Sequence, residues 1–419
     1  MQVFKFGGAS VKDADAVKNV TNIVQSFASK KLVIIVSAMG KTTNKLEALI
    51  EASAKQNKAL FDQYFLELED YHGQIVEQLF PEKNDMLNIQ LGKYFSEINR
   101  MFVQYKSHEH NAFYDKMVAF GELLSTRIVE AHLEKSNVKS AWLDASKVVI
   151  TDDKFRAATV DMSLTEKKIQ EACTVVLRMH NIIITQGFIG SNLKGLQTTL
   201  GREGSDYSGA IFAFCLNAES LTIWKDVEGM YNADPKSFPN AEKLNEISYK
   251  DAIELSYYGA SVIHPKTIQP LQNREIPLYV KSFLNPKLTG TVIKKDAINK
   301  IPCYIIKQNQ VLVSLSTKNF SFIAEKNLAE IFDKYDQLDM KINIMQNSAV
   351  NFSALFDEKQ FQETKVLEAF QNSYAVRYNE NVELITIRHY NSAIIEELTA
   401  GREILLEQRT RETVRFVVR

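Results

Sequence analysis

The sequence predicts an α/β sandwich built on a mostly parallel sheet, followed by smaller ferredoxin-like modules. Three observations carry this expectation. Short apolar runs alternate with amphipathic stretches from Val3 to Val280, the pattern of strands linked by helices. Seven of the 16 glycines lie between Gly187 and Gly229, seven of the eight prolines lie between Pro235 and Pro302, and after Gly290 only Gly401 remains. From Val311 onward a strand–helix–strand–strand order occurs twice. The special backbone positions therefore concentrate in the first part of the chain. A boundary is expected near Lys294–Pro302, giving domains of residues 1–295 and 296–419.

Taken in order, Val3–Phe6 reads as a short strand and Asp13–Phe27 as a helix with Val17, Val20, Val24 and Phe27 on one face. Lys31–Val36 is a continuous apolar run of the kind buried on both faces of a parallel sheet. Residues 44–135 are helix-rich. Ala141–Leu143, Val148–Thr151 and Asn181–Thr185 read as strands, the last followed by a glycine-rich loop. Ser205–Asn217 is a helix, Ser220–Trp224 a strand, Ser248–Tyr258 a helix and Pro277–Val280 a strand. The C-terminal part reads Val311–Ser316, Leu328–Tyr335, Ile342–Gln346 and Asn351–Leu355, then Val382–Arg388, Ile394–Ala400, Ile404–Glu407 and Val414–Val418.

Composition narrows the function. The chain has 419 residues, with 50 Lys+Arg against 51 Asp+Glu, for a formal net charge of −1. That balance gives no support to a broad nucleic-acid binder, so an anionic substrate must be held by a few placed groups. Cys173, Cys215 and Cys303 are far apart and form no CxxC pair, which argues against a disulfide framework or zinc site and for a reducing cytoplasm. The stretch Met1–Lys5 has no signal-peptide character, and apolar runs such as Leu32–Val36 are too short to span a membrane.

Several segments combine glycine with charge. Lys5-Phe6-Gly7-Gly8-Ala9-Ser10 runs from strand into Gly-Gly and then helix, where backbone N–H groups and a lysine can cradle a phosphate. Gly-Gly alone fits a tight turn equally well. Val36–Thr43 ends a strand in a polar loop, the position at which open α/β sheets bind ligands, though an ordinary capped loop also fits. In Phe120-Gly121-Glu122 the carboxylate can face an ammonium group or simply solvent. Thr185–Gly190 with Thr199–Asp206 repeats strand, glycine loop and helix, with Arg202 offering a planar fork to a carboxylate and Ser205 and Asp206 suited to a first helical turn. Trp224–Tyr231 with Asp234-Pro235-Lys236 can hold an adenine and ribose while Lys236 reaches phosphate; a charged turn is the bland reading. His264, in Tyr258–Thr267, follows two β-branched residues and precedes proline, which suits a structural group better than a catalytic one. There is no GxxxxGK[ST], GxGxxG, HRD or DFG, so Walker, Rossmann and protein-kinase sites are disfavoured.

Together these segments, in this order, resemble the aspartate kinases of the amino-acid kinase family. KFGG at Lys5–Gly8 and the later Gly201–Asp206 are the most specific parts, and Val280–Thr291 and Gly401–Arg409 extend the likeness to nearly the whole chain. The resemblance implies a three-layer amino-acid kinase fold with tandem C-terminal ACT modules. It implies phosphorylation of the β-carboxylate of L-aspartate by ATP with Mg²⁺, at the head of lysine, threonine and methionine biosynthesis. A β-carboxylate, with a pKa of about 4, is already ionised at neutral pH and needs no general base. Catalysis then reduces to bringing two anions together and neutralising the phosphoryl group in transfer.

The resemblance assigns Lys5 and Asp206 to catalysis, the lysine as transition-state stabiliser and the aspartate as its orienting partner. It places Thr43, Glu122, Phe188, Arg202 and Ser205 around the substrate. Gly7, Gly8, Lys225, Asp226, Tyr231 and Lys236 fall to the nucleotide, and no residue to a dedicated metal site. It further implies a cytoplasmic homodimer formed through the ACT modules, without nucleic-acid or membrane partners. Four positions depart from the family. Ala9 and Lys225 replace threonines, Ser261 replaces a common lysine, and Glu203 stands where glycine is usual and is expected to point away from the anion. Lys225 is read as the cation lost at position 261, moved to another loop. Asn343 replaces an aspartate of lysine-sensitive members, which implies weak or absent lysine inhibition. Two alternatives remain open to the sequence: a family member with another carboxylate acceptor, and a non-catalytic amino-acid sensor.

Overall fold

The computed structural model describes residues 1–257, 262–297, 301–319 and 321–419. The chain divides into two compact units. The first comprises Met1–Met230, Lys243–Ile253 and Val262–Asn299; the second comprises Tyr231–Glu242, Glu254–Ser261 and Lys300–Arg419. Two segments of the second unit precede residue 300 in sequence and cluster with the C-terminal residues.

The strands of the first unit are β1 (Gln2–Phe6), β2 (Leu32–Val36), β3 (Ser140–Leu143), β4 (Ile150–Thr151), β5 (Ile182–Gln186), β6 (Ile189–Asn192), β7 (Gln197–Thr199), β8 (Ser220–Lys225), β9 (Glu246–Ser248), β10 (Leu278–Ser282) and β11 (Thr291–Lys294). Eight form one sheet in the order β3-β5-β2-β1-β8-β10-β11-β9, parallel except for the β10–β11 pair. β4, β6 and β7 form a small separate sheet. Its last two strands lie in what the sequence suggests is an irregular glycine loop. Only the second half of the expected strand Val148–Thr151 pairs as a strand, Ile150–Thr151: Ala145–Val148 is a helical turn started by Asp144, whose side chain accepts from Ser146 N–H.

Helices α1 (Ala14–Gln25), α2 (Thr42–Ala54), α3 (Lys58–Leu79), α4 (Asp85–Gln104) and α5 (His110–Lys135) follow one another around the first strands. After the turn α6 (Ala145–Val148) come α7 (Met162–Val176), α8 (Gly204–Cys215), α9 (Tyr249–Tyr257) and α10 (Pro265–Asn273). α1 and α5 pack on one side of the sheet, while α7, α8 and α10 pack together on the side of α8, giving three layers.

Strand alternation sets what each layer meets. Phe4, Phe6, Leu32, Ile34, Val36 and Trp224 belong to the core shared with α1 and α5. Val3 and Lys5 point the other way, and a Cβ placed on Gly209 of α8 would lie 3.5 Å from Lys5 Cβ. The parity of a five-residue strand therefore delivers a lysine to the α8 layer.

The second unit contains one six-stranded antiparallel sheet: β12 (Cys303–Thr317), β13 (Ile344–Asn347), β14 (Asn351–Asp357), β15 (Tyr374–Arg388), β16 (Ile404–Arg409) and β17 (Thr413–Val418), in the order β13-β14-β12-β15-β17-β16. Helices α11 (Glu325–Gln337), α12 (Glu363–Phe370) and α13 (Ser392–Thr399) complete two βαββ repeats joined by α12. The long strands β12 and β15 pair from Cys303↔Arg388 to Thr317↔Tyr374, so the two repeats share one sheet.

Gly290 marks a close approach in the first unit. Its φ is +72°, and an added Cβ would sit 2.2 Å from the Val280 carbonyl oxygen. Gly290→Ala should therefore lower stability by roughly 2–4 kcal/mol through left-handed strain and forced displacement of β10. Urea unfolding followed by circular dichroism measures this, and an unchanged midpoint would contradict it.

Candidate active site

The carboxyl ends of β1, β2, β5 and β8 converge with the N-terminus of α8 on a cleft of about 560 Å³. At its floor Lys5 Nζ lies 2.7 Å from Asp206 Oδ1, with both side chains nearly inaccessible. Lys225 Nζ, from the end of β8, lies 3.3 Å from Asp206 Oδ2. Lys225 also donates to the Val262 carbonyl. Burial pushes the Asp206 carboxyl pKa up, but the two ammonium groups outweigh it and hold the group below the usual carboxylate range. One carboxylate thus anchors two cations beside the positive end of a helix dipole, an arrangement with surplus positive charge for an anion.

The glycines of the first motif serve close approach. A Cβ on Gly8 would fall 2.9 Å from both the Ala38 and Gly40 carbonyl oxygens. Gly40 N–H donates to Gly8 C=O at 3.0 Å, tying the loops after β1 and β2 together. Gly7 does not line the cleft, though a Cβ there would lie 3.3 Å from Lys5 Nζ.

Glu122 of α5 is buried. Its Oε1 accepts from Ala38 N–H at 3.2 Å, and its Oε2 has no hydrogen-bond partner. Burial raises its pKa to about 8, against the opposing pull of the Ala38 N–H and Lys5. A buried, half-satisfied carboxyl facing a cleft suits a cationic ligand group. Thr43, Phe188, Arg202 and Ser205 line the same space. Phe188 is held at φ 68°, with its N–H donating to Ser208 Oγ at 2.9 Å.

Of the motif residues, therefore, Lys5, Gly8, Thr43, Glu122, Phe188, Arg202, Ser205, Asp206 and Lys225 meet in one cleft. Asp226 is exposed and does not line it. Tyr231 and the exposed Lys236 belong to the second unit. Ser261 and the rest of Tyr258–Ser261 lie outside the described residues. His264 caps α10, its Nδ1 accepting from Lys266 N–H at 3.1 Å.

Glu203 differs from expectation. It lines the cleft instead of pointing away, with Oε2 buried and without a hydrogen-bond partner. Its backbone is left-handed, at φ 52° and ψ 26°, a conformation that favours glycine.

Tyr114 and Arg156 also line the cleft and carry no motif signal. The usable sign is Asp115, an acidic residue that α5 buries. It is fully buried and accepts from Arg156 N–H and from both the N–H and hydroxyl of Thr199.

A three-layer α/β sandwich with a lysine-bridged carboxylate at its strand ends defines an anion-binding site of the phosphotransferase type. The amino acid kinase family model matches residues 1–282, and the chain belongs to that family. It is 32% identical over 359 residues to lysine-sensitive aspartokinase 3 of Escherichia coli, covering 85% of this chain and 78% of the relative. It is 29% identical to the bifunctional aspartokinase/homoserine dehydrogenase of Buchnera aphidicola, covering 91% of this chain and about half (49%) of that one. Crystal structures of E. coli aspartokinase III superpose with TM-scores of 0.84 (with lysine and aspartate, T-state) and 0.83 (with aspartate and ADP, R-state). Both are 27% identical and cover 100% of this chain and 96% of theirs.

The Glu122 pKa has a measurable consequence. In the unfolded chain the group ionises near 4.5, whereas in the fold it keeps its proton to about pH 8. The folded state binds the extra proton between these values, so this contribution to stability falls as pH rises through that window. Glu122→Gln should flatten the decline between about pH 5 and 8, as read by urea unfolding at stepped pH. An unaltered pH profile would contradict the assignment.

Proposed function

We propose that this chain is an aspartate kinase: ATP and L-aspartate give 4-phospho-L-aspartate and ADP, an entry reaction of amino-acid biosynthesis. The observation that carries this reading is the Lys5–Asp206–Lys225 bridge in the same cleft as Glu122 and Arg202. One part of the cleft is built for phosphate and another for an amino acid.

The roles follow from the chemistry of each group. Lys5 and Lys225 neutralise the phosphoryl oxygens, and Asp206 fixes both ammonium groups so that little reorganisation is needed during transfer. Backbone N–H groups around Gly8 and at the start of α8 complete the cradle, and Gly7, outside the cleft wall, is assigned to the nucleotide by motif alone. Glu122, on releasing its proton, pairs with the substrate ammonium. Arg202 takes a carboxylate through its planar fork, while Thr43, Phe188 and Ser205 shape the pocket. The β-carboxylate attacks in its ionised form, so no side chain has to remove a proton. Asp226, Tyr231 and Lys236 are assigned to the adenosine and its phosphates by motif alone.

Among the described residues, no group of three His, Cys, Asp or Glu side chains is placed to hold a metal ion, and each Asp206 oxygen faces a lysine. This donor set suits a Mg²⁺ held mainly by nucleotide phosphates and water. Glu203, with its buried unpartnered Oε2, is the cleft side chain suited to touch it. When bound, the ion adds charge neutralisation to that of the lysines.

The second unit is read as a tandem ACT region that dimerises the chain. Its Asn343 is neutral and already engaged: it accepts from Lys307 Nζ at 3.1 Å and donates to Gln310 and Asp357. Lys307 also pairs with Asp357 at 2.6 Å. With Asn343 uncharged and Asp357 already paired with Lys307, this cluster is a poor partner for an effector ammonium, which supports a weak lysine response.

An aspartyl-hydroxamate assay with ATP and Mg²⁺ tests the function. Aspartate should be phosphorylated and glutamate not, and Lys5→Ala should cut kcat by about 100- to 1,000-fold. Lys225→Thr should raise the KM for ATP more than that for aspartate. Turnover of glutamate in preference to aspartate, or full activity of Lys5→Ala, would refute the reading. Light scattering should return the mass of two chains, and a monomer would remove the dimer assignment.

A further inference from the structure

We propose that Arg156 is a second carboxylate-binding guanidinium of the cleft, acting with Arg202 to hold the α-carboxylate of the acceptor and so to select an acidic amino acid bearing one. The inference rests on the functional reading above and adds a specificity residue to it.

Arg156 lies in a turn between β4 and α7 and lines the cleft. Its backbone is left-handed, at φ 69°, where a non-glycine residue is costly and needs support from its surroundings. That support is specific. Asp115 of α5 accepts the Arg156 N–H with both oxygens, at 3.0 and 2.9 Å, and takes the Thr199 N–H and hydroxyl at 2.8 Å each. A fully buried carboxylate is thus used to pin this turn to the end of β7. The adjacent residue on α5, Tyr114, places its ring 4.3 Å from the Arg156 guanidinium carbon. The Tyr114 hydroxyl is itself anchored on Glu47 of α2. Two consecutive residues of one helix therefore hold the backbone and the side chain of a single arginine.

Among the described residues no carboxylate pairs with that guanidinium; its side-chain partner is Tyr114, which leaves other N–H groups of the fork for a ligand. Stacking on an aromatic ring leaves the edge of the fork open and reduces the entropy lost when it engages a ligand. Its location identifies the ligand group. A Cβ on Gly201 would lie 3.3 Å from the Arg156 carbonyl oxygen, which puts the turn against the loop carrying Arg202. The phosphate cations, Lys5 and Lys225, are instead gathered on Asp206. Aspartate brings two carboxylates. The β-carboxylate must remain free to attack, so the α-carboxylate is the group that arginines on two adjoining loops of the cleft can hold without hindering transfer.

The test is steady-state kinetics on the full chain with L-aspartate and with L-aspartate α-amide, which retains the β-carboxylate and amine but lacks the α-carboxylate. Arg156→Met should raise the KM for aspartate by about 10- to 100-fold, with kcat and the KM for ATP within twofold of wild type. The α-amide should show no such difference between wild type and variant. Arg156→Gly, which suits the left-handed backbone, should reproduce the KM effect without a lower unfolding temperature and so guards against misfolding. Arg156→Lys should recover only part of the loss, because an ammonium lacks the fork. An aspartate KM within twofold of wild type in both variants, an equal penalty with the α-amide, or a shift confined to ATP would overturn the role of Arg156. Wild-type turnover of aspartate with any of these results would leave the functional reading standing; absence of aspartate turnover by the wild type would overturn both.

Discussion

The site depends on one carboxylate shared by two ammonium groups. Asp206 is buried, and so is Lys5; neither charge would be tolerated there alone, since desolvating an isolated ion costs several kcal/mol. The bridge to Lys225 brings three separated stretches of chain together: the first strand, the start of α8 and the end of β8. It also leaves a net positive charge at the strand ends without a broad basic surface. A chain with formal net charge −1 can therefore gather two anionic substrates in one place.

Much of this arrangement was legible in the sequence. Strand parity is visible in Val3-Phe4-Lys5-Phe6: the phenylalanines need the large apolar core, and the lysine must then face the other layer. Glycine placement marked the loops that approach one another closely. The family resemblance brought nine motif residues to the one cleft where the fold gathers them. What escaped notice is equally physical. β6 and β7 are short strands whose glycine and polar content masks their pairing. The expected strand Val148–Thr151 starts too early, because its first residue closes a helical turn that Asp144 caps, and that cap was not recognised. Tyr114 and Arg156 belong to no glycine motif, and their importance follows from Asp115, whose contacts are separated by 41 and 84 positions.

Glu203 and Arg156 are both left-handed non-glycine residues on the cleft wall. Strain of this kind persists where neighbouring structure over-determines the backbone. For Arg156 that neighbour is Asp115. For Glu203 it is the first turn of α8, where the Glu203 carbonyl accepts from Asp206 and Tyr207 N–H. The same turn positions the shared carboxylate, so the conformation of residue 203 and the electrostatics at the cleft floor are mechanically linked.

The pairing of β12 with β15 carries a consequence for descent. Each βαββ repeat contributes one long central strand, and Cys303–Lys307 of the first repeat is zipped to Leu384–Arg388 of the second. Exchanging either repeat alone would cut that seam, so the two repeats are bound to fold as one block, and a bulky or charged substitution on either long strand has to be accommodated by the residue paired with it in the other repeat.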